Sequence, residues 1–419
     1  MNNAGSWVKI RSAVLPAFLL AVSVGQIYAF TNFSDEIVKQ IGGGSLSFDG
    51  MFASSLLSFL FDDLNQAVQF AFSLGIFFLG MGAAFFGKIV EKNIRLSTII
   101  GTTLFISGLC VTGVGVTAKS LWTLFLGYGL LLGLGTGIIY ISPVKTMMMW
   151  YPQNKAIAAA FPIISFGLGS TLSTLVYRGF GFGSEGTLFA MHFLGFREFF
   201  GVEADPSRIA SVFYAFAVFY LVPMAVASAM LRKPKVEQMS FAHGLPQCEF
   251  SYLGLMKDSY FWQAWVFMFL NISCGLCLIP LAKQMMHTQL VGYSDKLARR
   301  VNILLFILGI SAAIMTLSYW PAMIGLALLV INACYGAGFS VIPAIISDHF
   351  GMTNISKIHG AVLSAWGFAG IIGNQVAMRV NKGCESMFGE NAGYYGVVTM
   401  LVAFYLLNMV NAFILSKRK

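Results

Sequence analysis

The sequence predicts an all-α protein that crosses a membrane many times. Of its 419 residues, 57% are hydrophobic and only 10% are charged, and the mean hydropathy is +0.77. Soluble domains carry about 25% charged residues, so this composition excludes a water-soluble fold. Apolar runs recur along the chain, and each is long enough to cross a hydrocarbon layer of about 30 Å as a helix. The bilayer is therefore the expected surroundings of most side chains.

The order of the apolar runs predicts two halves joined by a linker. A basic stretch after the sixth span separates an N-terminal six-helix half (1–231) from a cytoplasmic linker (232–258) and a C-terminal half (259–419) with five visible spans. The expected spans are about 12–33, 66–86, 96–117, two helices between 122 and 177 that meet at the corner 150–155, 209–231, 260–282, 301–319, 321–347, 358–378 and 394–415.

Charge asymmetry fixes the expected orientation. Lys9 and Arg11 precede the first span and place the N-terminus in the cytoplasm, in a plasma or inner membrane. The basic connection 283–300 and the basic tail would both lie outside if the chain had eleven spans. Twelve spans satisfy the charge rule. We therefore expect that a spanning segment of about 25–35 residues, the eighth helix, is missing near Val291–Tyr293.

Two local features add detail to the helices. Gly129, Gly133 and Gly137 recur at every fourth position, so they share one helix face and allow another helix to approach closely.

The apolar stretch 51–61 lies in the outer loop 34–63 and is too short to span the bilayer. It is either an interfacial segment or a re-entrant turn.

The residues give little support to several other functions. No nucleotide-binding loop, metal-spaced His/Cys cluster or nucleophile–base pair is present, so we expect no enzyme, cofactor or metal. The net charge of +9 needs no nucleic-acid partner, because cations collect in cytoplasmic loops. The predicted spans carry no interior Asp or Glu, which argues against a carboxylate proton relay. The glycine seams are explained by packing within one chain, so we expect a monomer.

Six short motifs in a fixed order carry a resemblance. The chain resembles the major facilitator superfamily and, within it, the oxalate/formate antiporter family, which is close to the monocarboxylate transporters. The motifs are Gly25-x-x-Tyr28-x-Phe30, Phe72–Gly80, Gly133-x-Gly135-x-Gly137-x-x-Tyr140, Trp150-Tyr151-Pro152-x-x-Lys155, Ser347-Asp348-x-Phe350-Gly351 and Gly360 to Gly370 with Trp366.

The resemblance implies the two-half fold of that superfamily and a function. It implies a secondary transporter that moves small carboxylates, such as oxalate, formate, pyruvate or lactate, by alternating access. It also implies a central cavity of aromatic side chains with polar contacts from Gln26 and Asn271. The aromatic residues are Tyr28, Tyr140, Tyr335, Phe339 and Trp366, with Phe166 at a position where some members have tyrosine.

The chain departs from the family at its cations. The arginine that the eighth helix normally supplies to the anion site has no counterpart, and Trp366 stands where some members have lysine. Lys145 lies five residues before Trp150, about 7 Å at helical rise, and either reaches the cavity or extends to the interface. Two alternatives stay open: the aromatic residues simply pack between helices, or the protein is a degenerate, non-transporting membrane sensor or scaffold.

Overall fold

Helices make up nearly all of the part of the protein that the computed structural model describes. The described residues are 7–43, 47–48, 50–179, 209–234, 251–289, 336, 338–352, 355–389 and 392–417. Among them, seven helices are long and apolar enough to cross a membrane. These seven are α1 (Trp7–Asn32), α4 (Leu64–Lys92), α5 (Ile94–Thr117), α6 (Leu121–Trp150), α7 (Pro152–Tyr177), α8 (Ile209–Met230) and α12 (Ile355–Phe388).

The remaining helices connect or complete this set. Two short helices, α2 (Ser34–Gly42) and α3 (Ser54–Leu60), occupy the loop between α1 and α4. A third short helix, α9 (Tyr252–Lys257), precedes the C-terminal group. The other helices of that group are α10 (Ser259–Gln289), α11 (338–350) and α13 (Ala392–Lys417). The all-α membrane fold predicted from the sequence is confirmed.

Helix α4 lies at the centre of the bundle, between α6 and α12. On its α12 side two glycines face each other, and a Cβ atom added at Gly80 would lie only 2.5 Å from the backbone nitrogen of Gly367. Gly367 has no room for a Cβ atom either, because that atom would lie 2.7 Å from the carbonyl oxygen of Phe77. Helices in lipid associate through such close packing, since the surrounding chains give no hydrophobic drive.

The glycine seam of α6 packs against the other side of α4, as the spacing predicted. A Cβ at Gly133 would lie 2.5 Å from the carbonyl oxygen of Gly75, and one at Gly137 would overlap the carbonyl oxygen of Leu79. Gly129 of α6 packs against the side chain of Leu74, which belongs to α4. The prediction that these glycines admit a neighbouring helix is confirmed.

Several helices extend beyond the ends predicted from hydropathy. The first span was expected from residue 12 but begins at Trp7, and α10 continues to Gln289 rather than ending near residue 282. Helix α4 continues to Lys92 and α12 to Phe388, whereas ends near residues 86 and 378 were predicted. Hydropathy reports the apolar thickness that a helix crosses, and polar helical turns outside that layer leave no apolar signal.

The outer loop contains an exposed apolar segment. Helix α3 occupies part of the stretch 51–61, and Phe52 and Phe59 are 84% and 83% exposed. The indole nitrogen of Trp122 donates a hydrogen bond to the carbonyl oxygen of Phe52 at 3.2 Å. This arrangement agrees with an interfacial segment.

Some predictions lie outside the described residues. These are the missing eighth helix near Val291–Tyr293, the span 301–319, most of the span 321–347, and the site residue Tyr335.

The packing of α6 on α4 makes Gly137 intolerant of even one added methyl group. We predict that Gly137→Ala lowers stability by about 1–3 kcal/mol, since the methyl would force the two backbones apart. The matched control is Gly167→Ala, because a Cβ at Gly167 meets nothing within 4 Å. Thermal midpoints of the purified variants in detergent measure the difference; equal midpoints would contradict the close packing.

Candidate functional site

Five aromatic side chains that the resemblance named meet in one buried cluster, here called the aromatic cluster. The ring centroid of Tyr140 lies 5.4 Å from that of Phe166 and 5.2 Å from that of Trp366. Phe339 lies 4.5 Å from Trp366, and Tyr28 lies 5.4 Å from Phe166. None of the five is more than 6% exposed. Most of these rings meet edge to face, the arrangement that aromatic quadrupoles favour.

The cluster draws on distant parts of the chain. Tyr28, Tyr140 and Phe166 come from α1, α6 and α7, all within the first 231 residues. Phe339 and Trp366 come from α11 and α12. The aromatic cluster is therefore a junction between the N-terminal and C-terminal helices.

A close helix crossing positions the first two rings. The chain of α1 tightens into a 3₁₀ helix over Gly25–Asn32, and Gly25 lies directly against the backbone of Phe166. Gly169 of α7 packs in turn against the backbone of Gly25. Because neither glycine has a Cβ, the two backbones touch, and the ring of Tyr28 meets the ring of Phe166 one turn away.

A sixth aromatic ring, which was not predicted, borders the aromatic cluster. Phe72 of α4 is 2% exposed, and its ring centroid lies 6.1 Å from that of Tyr28. The residue begins one of the motifs that carried the family resemblance, but nothing in the sequence distinguished it from the other phenylalanines of α4.

Two buried polar side chains that the resemblance assigned to the site, Gln26 and Trp366, have atoms without partners among the described residues. The side chain of Gln26 is 0% exposed, and neither its amide nitrogen nor its amide oxygen is hydrogen-bonded there. The indole nitrogen of Trp366 is likewise buried without an acceptor in the described part of the chain. An unmade hydrogen bond in apolar surroundings is costly, so these groups fit a site that a polar ligand completes.

Asn271 lies beside the aromatic cluster. This residue of α10 is 4% exposed, and a Cβ at Gly338 would overlap its side-chain amide. Gly338 precedes Phe339 in the chain, so Asn271 reaches the α11 edge of the cluster.

Lys145, the predicted cationic site residue, is engaged elsewhere. It is 4% exposed and forms an ion pair with Glu91 of α4. The sequence-based expectation that no acidic residue lies within a predicted span missed this partner, because it ended the second span near residue 86. Helix α4 in fact continues past residue 86 to Lys92, so Glu91 is part of the helix and pairs with Lys145.

Glu91 also binds the C-terminal helices. The backbone nitrogen of Ser356, at the start of α12, donates to its other carboxylate oxygen at 2.6 Å. Nearby, the ammonium of Lys155 lies 3.0 Å from the carboxylate of Asp348. These contacts join N-terminal and C-terminal helices at the end of the bundle that carries Trp150 and Glu91, here called the basic end.

An ion pair also joins the two parts of the chain at the opposite end. The ammonium of Lys382, in the extension of α12, lies 2.6 Å from the carboxylate of Asp62 in the outer loop. The hydrogen bond from Lys382, together with its charge, holds the pKa of that carboxyl below its ordinary value. Both side chains are largely exposed, so the pair contributes little to stability.

Removing one partner of the buried Lys145–Glu91 ion pair should cost more stability than removing one partner of an exposed pair. We predict that Lys145→Met lowers stability by about 3–5 kcal/mol, because it leaves the Glu91 charge without its partner. The double variant Lys145→Met/Glu91→Gln should regain most of the loss. Lys88→Met removes an exposed lysine of α4, the helix that carries Glu91, and serves as the control. Thermal midpoints of the wild-type protein and these three variants measure the effect, and a double variant no more stable than Lys145→Met would contradict the pairing.

Comparisons with known proteins agree with this architecture. No protein-family model matches the chain. The uncharacterized MFS-type transporter YhjX of Escherichia coli K12 is 24% identical over 368 residues, which cover 80% of this chain and 84% of that protein.

Solved structures share the fold at low identity. The proton:xylose symporter XylE superposes with a TM-score of 0.61 at 13% identity, covering 94% of both chains. The human organic anion transporter MFSD10 gives a TM-score of 0.60 at 12% identity, covering 95% of this chain and 97% of that one. The chain therefore has the fold of the major facilitator superfamily.

Proposed function

We propose that this protein is a secondary transporter that carries small carboxylate anions, such as oxalate, formate, pyruvate or lactate, by alternating access. The fold and the similarity to an MFS-type transporter support the transporter part. The carboxylate part rests on the resemblance to the oxalate/formate antiporter family and on the chemistry of the aromatic cluster. The fold by itself does not decide the substrate, because one fold hosts many functions.

The observation that carries the proposal is the junction of five rings from both parts of the chain. Tyr140 and Phe166 face Trp366 and Phe339 across that junction. In this superfamily's architecture a substrate binds at the membrane midplane between the halves, where opposite rocking motions expose it to either side. A ligand among these rings would therefore contact groups from both halves.

The polar groups at the junction suit a carboxylate. The indole nitrogen of Trp366 is a donor only, and the amide of Gln26 offers two more donor hydrogens. A carboxylate oxygen accepts hydrogen bonds from such groups, and aromatic ring edges carry partial positive charge. A small planar anion such as oxalate would accept the hydrogen bond that the Trp366 indole nitrogen does not make among the described residues.

The contacts at the basic end support alternating access. Opening that end would require breaking the Ser356–Glu91 hydrogen bond and the Lys155–Asp348 ion pair, both of which join helices from different parts of the chain. We infer that these contacts hold the closed state of the basic end until substrate exchange occurs elsewhere.

The role of the Trp366 donor can be tested by removing one nitrogen. We predict that Trp366→Phe keeps the protein folded but raises the KM for carboxylate exchange about tenfold or more, the cost of one hydrogen bond to a charged group. Uptake of labelled oxalate, formate, pyruvate and lactate into proteoliposomes loaded with the same anions measures the effect. Trp122→Phe, an exposed indole that bonds a loop carbonyl, is the matched control.

The same assay separates the transporter from a scaffold. If the folded wild-type protein exchanged none of the four anions, the carboxylate proposal would fail, and the sensor or scaffold would become the better explanation. If Trp122→Phe raised the KM as much as Trp366→Phe, the aromatic cluster would not be the site.

We also infer that the N-terminus, the linker 232–258 and the C-terminal tail lie in the cytoplasm. This orientation follows from the basic residues that flank the spans. Reporters that are active only in the cytoplasm, inserted in the linker or fused after Lys419, should both be active, and the number of crossings in 259–419 would then be even rather than the five spans counted from hydropathy. An inactive tail reporter beside an active linker reporter would show an odd number of crossings in 259–419 and would contradict the two-half plan.

A further inference from the structure

A pocket away from the aromatic cluster lies at the outer rim of the basic end. It has a volume of about 330 Å³, within the range of small-molecule sites. Its walls come from the start of α1, the corner between α6 and α7, and the segment after α8. The lining residues are Lys9, Met149, Trp150, Tyr151, Pro152, Gln153, Asn154 and Pro234.

The chemistry of the pocket favours an anion. Its eight lining residues include one cation and no carboxylate. The ammonium of Lys9 lies 5.3 Å from the ring centroid of Tyr151, so it is held over the pocket wall. Gln153 and Asn154 add exposed amide donors. They lie at the start of α7, whose N-terminal end carries the positive pole of the helix dipole.

The surroundings of the pocket place it at the membrane surface. Trp7 and Ile10, on either side of Lys9 in α1, are 70% and 41% exposed and offer apolar side chains to lipid. Trp150 and Tyr151 are the aromatic types that gather at the headgroup level. A cation between exposed apolar residues at the end of a spanning helix is well placed to meet a lipid phosphate.

We propose that this pocket binds an anionic phosphate group, and that the phosphate is that of a phospholipid headgroup. The acyl chains would lie along the exposed apolar side chains of α1, while the phosphate accepts hydrogen bonds from Lys9 and from the amides of the corner. The headgroup would join the start of α1 to the α6–α7 corner. This site is separate from the transport site and does not depend on the transported substrate.

Lipid-dependent stabilisation tests the proposal. The full chain in neutral detergent is titrated separately with phosphatidylglycerol, phosphatidylcholine and inorganic phosphate, and thermal unfolding is followed by tryptophan fluorescence. Phosphatidylglycerol should raise the thermal midpoint more than phosphatidylcholine does. Lys9→Gln should raise the half-saturating phosphatidylglycerol concentration about fivefold, as expected for one lysine near an anionic lipid.

Two further variants keep the result specific. Asn154→Asp places a negative charge at the corner and should weaken the phosphatidylglycerol effect in the same direction. Lys39→Gln removes an exposed lysine of α2, away from the pocket, and should leave the titration unchanged. Equal effects of Lys9→Gln and Lys39→Gln, or equal effects of the two lipids, would overturn the proposal. Saturation by inorganic phosphate alone would overturn the lipid assignment and make the ligand a soluble phosphate.

Discussion

Close backbone packing of α4 against both α6 and α12 is the constraint on which the rest of the structure depends. Lipid offers helices no hydrophobic reason to associate, so contact must come from surfaces that fit at backbone distance. Gly133 and Gly137 supply that fit on one side of α4, and the pair Gly80 and Gly367 supplies it on the other. The second contact joins α4 to a C-terminal helix, and it brings Trp366, one residue before Gly367, into the aromatic cluster.

Against this background, the polar groups of the bundle fall into two classes. Many buried hydroxyls are satisfied within the bundle: Tyr128 donates to the carbonyl oxygen of Ile27 at 2.7 Å, and Ser173 shares a 2.7 Å hydrogen bond with Tyr220. Such groups stabilise one arrangement of helices. The indole nitrogen of Trp366, which lies in the aromatic cluster, instead lacks an acceptor among the described residues. This unmade hydrogen bond is the physical reason to expect a ligand beside Trp366.

Within the described residues, the sequence predicts the spans well and their ends poorly. Apolar length follows the bilayer thickness, so α5 and α8 were located within a few residues, but the polar last turns of α4 and α12 were not. The aromatic residues of the site followed from the family resemblance, which orders motifs along the chain. The partner of Lys145 could not be predicted, because the sequence placed Glu91 in a loop and no pattern within one helix reports a contact with another. The contact of Phe72 with Tyr28 was not predicted either, because it also joins two different helices.

The most direct test of the account is whether the two ends of the bundle move in opposite directions. In a background without the six native cysteines, spin labels at Lys88 and Met352 report on the basic end, and labels at Phe59 and Met387 report on the other end. Double electron–electron resonance with and without oxalate measures both distances. Alternating access predicts that oxalate shifts the two distance distributions in opposite senses. Distributions that stay unchanged at both ends, in protein shown to bind oxalate, would contradict it.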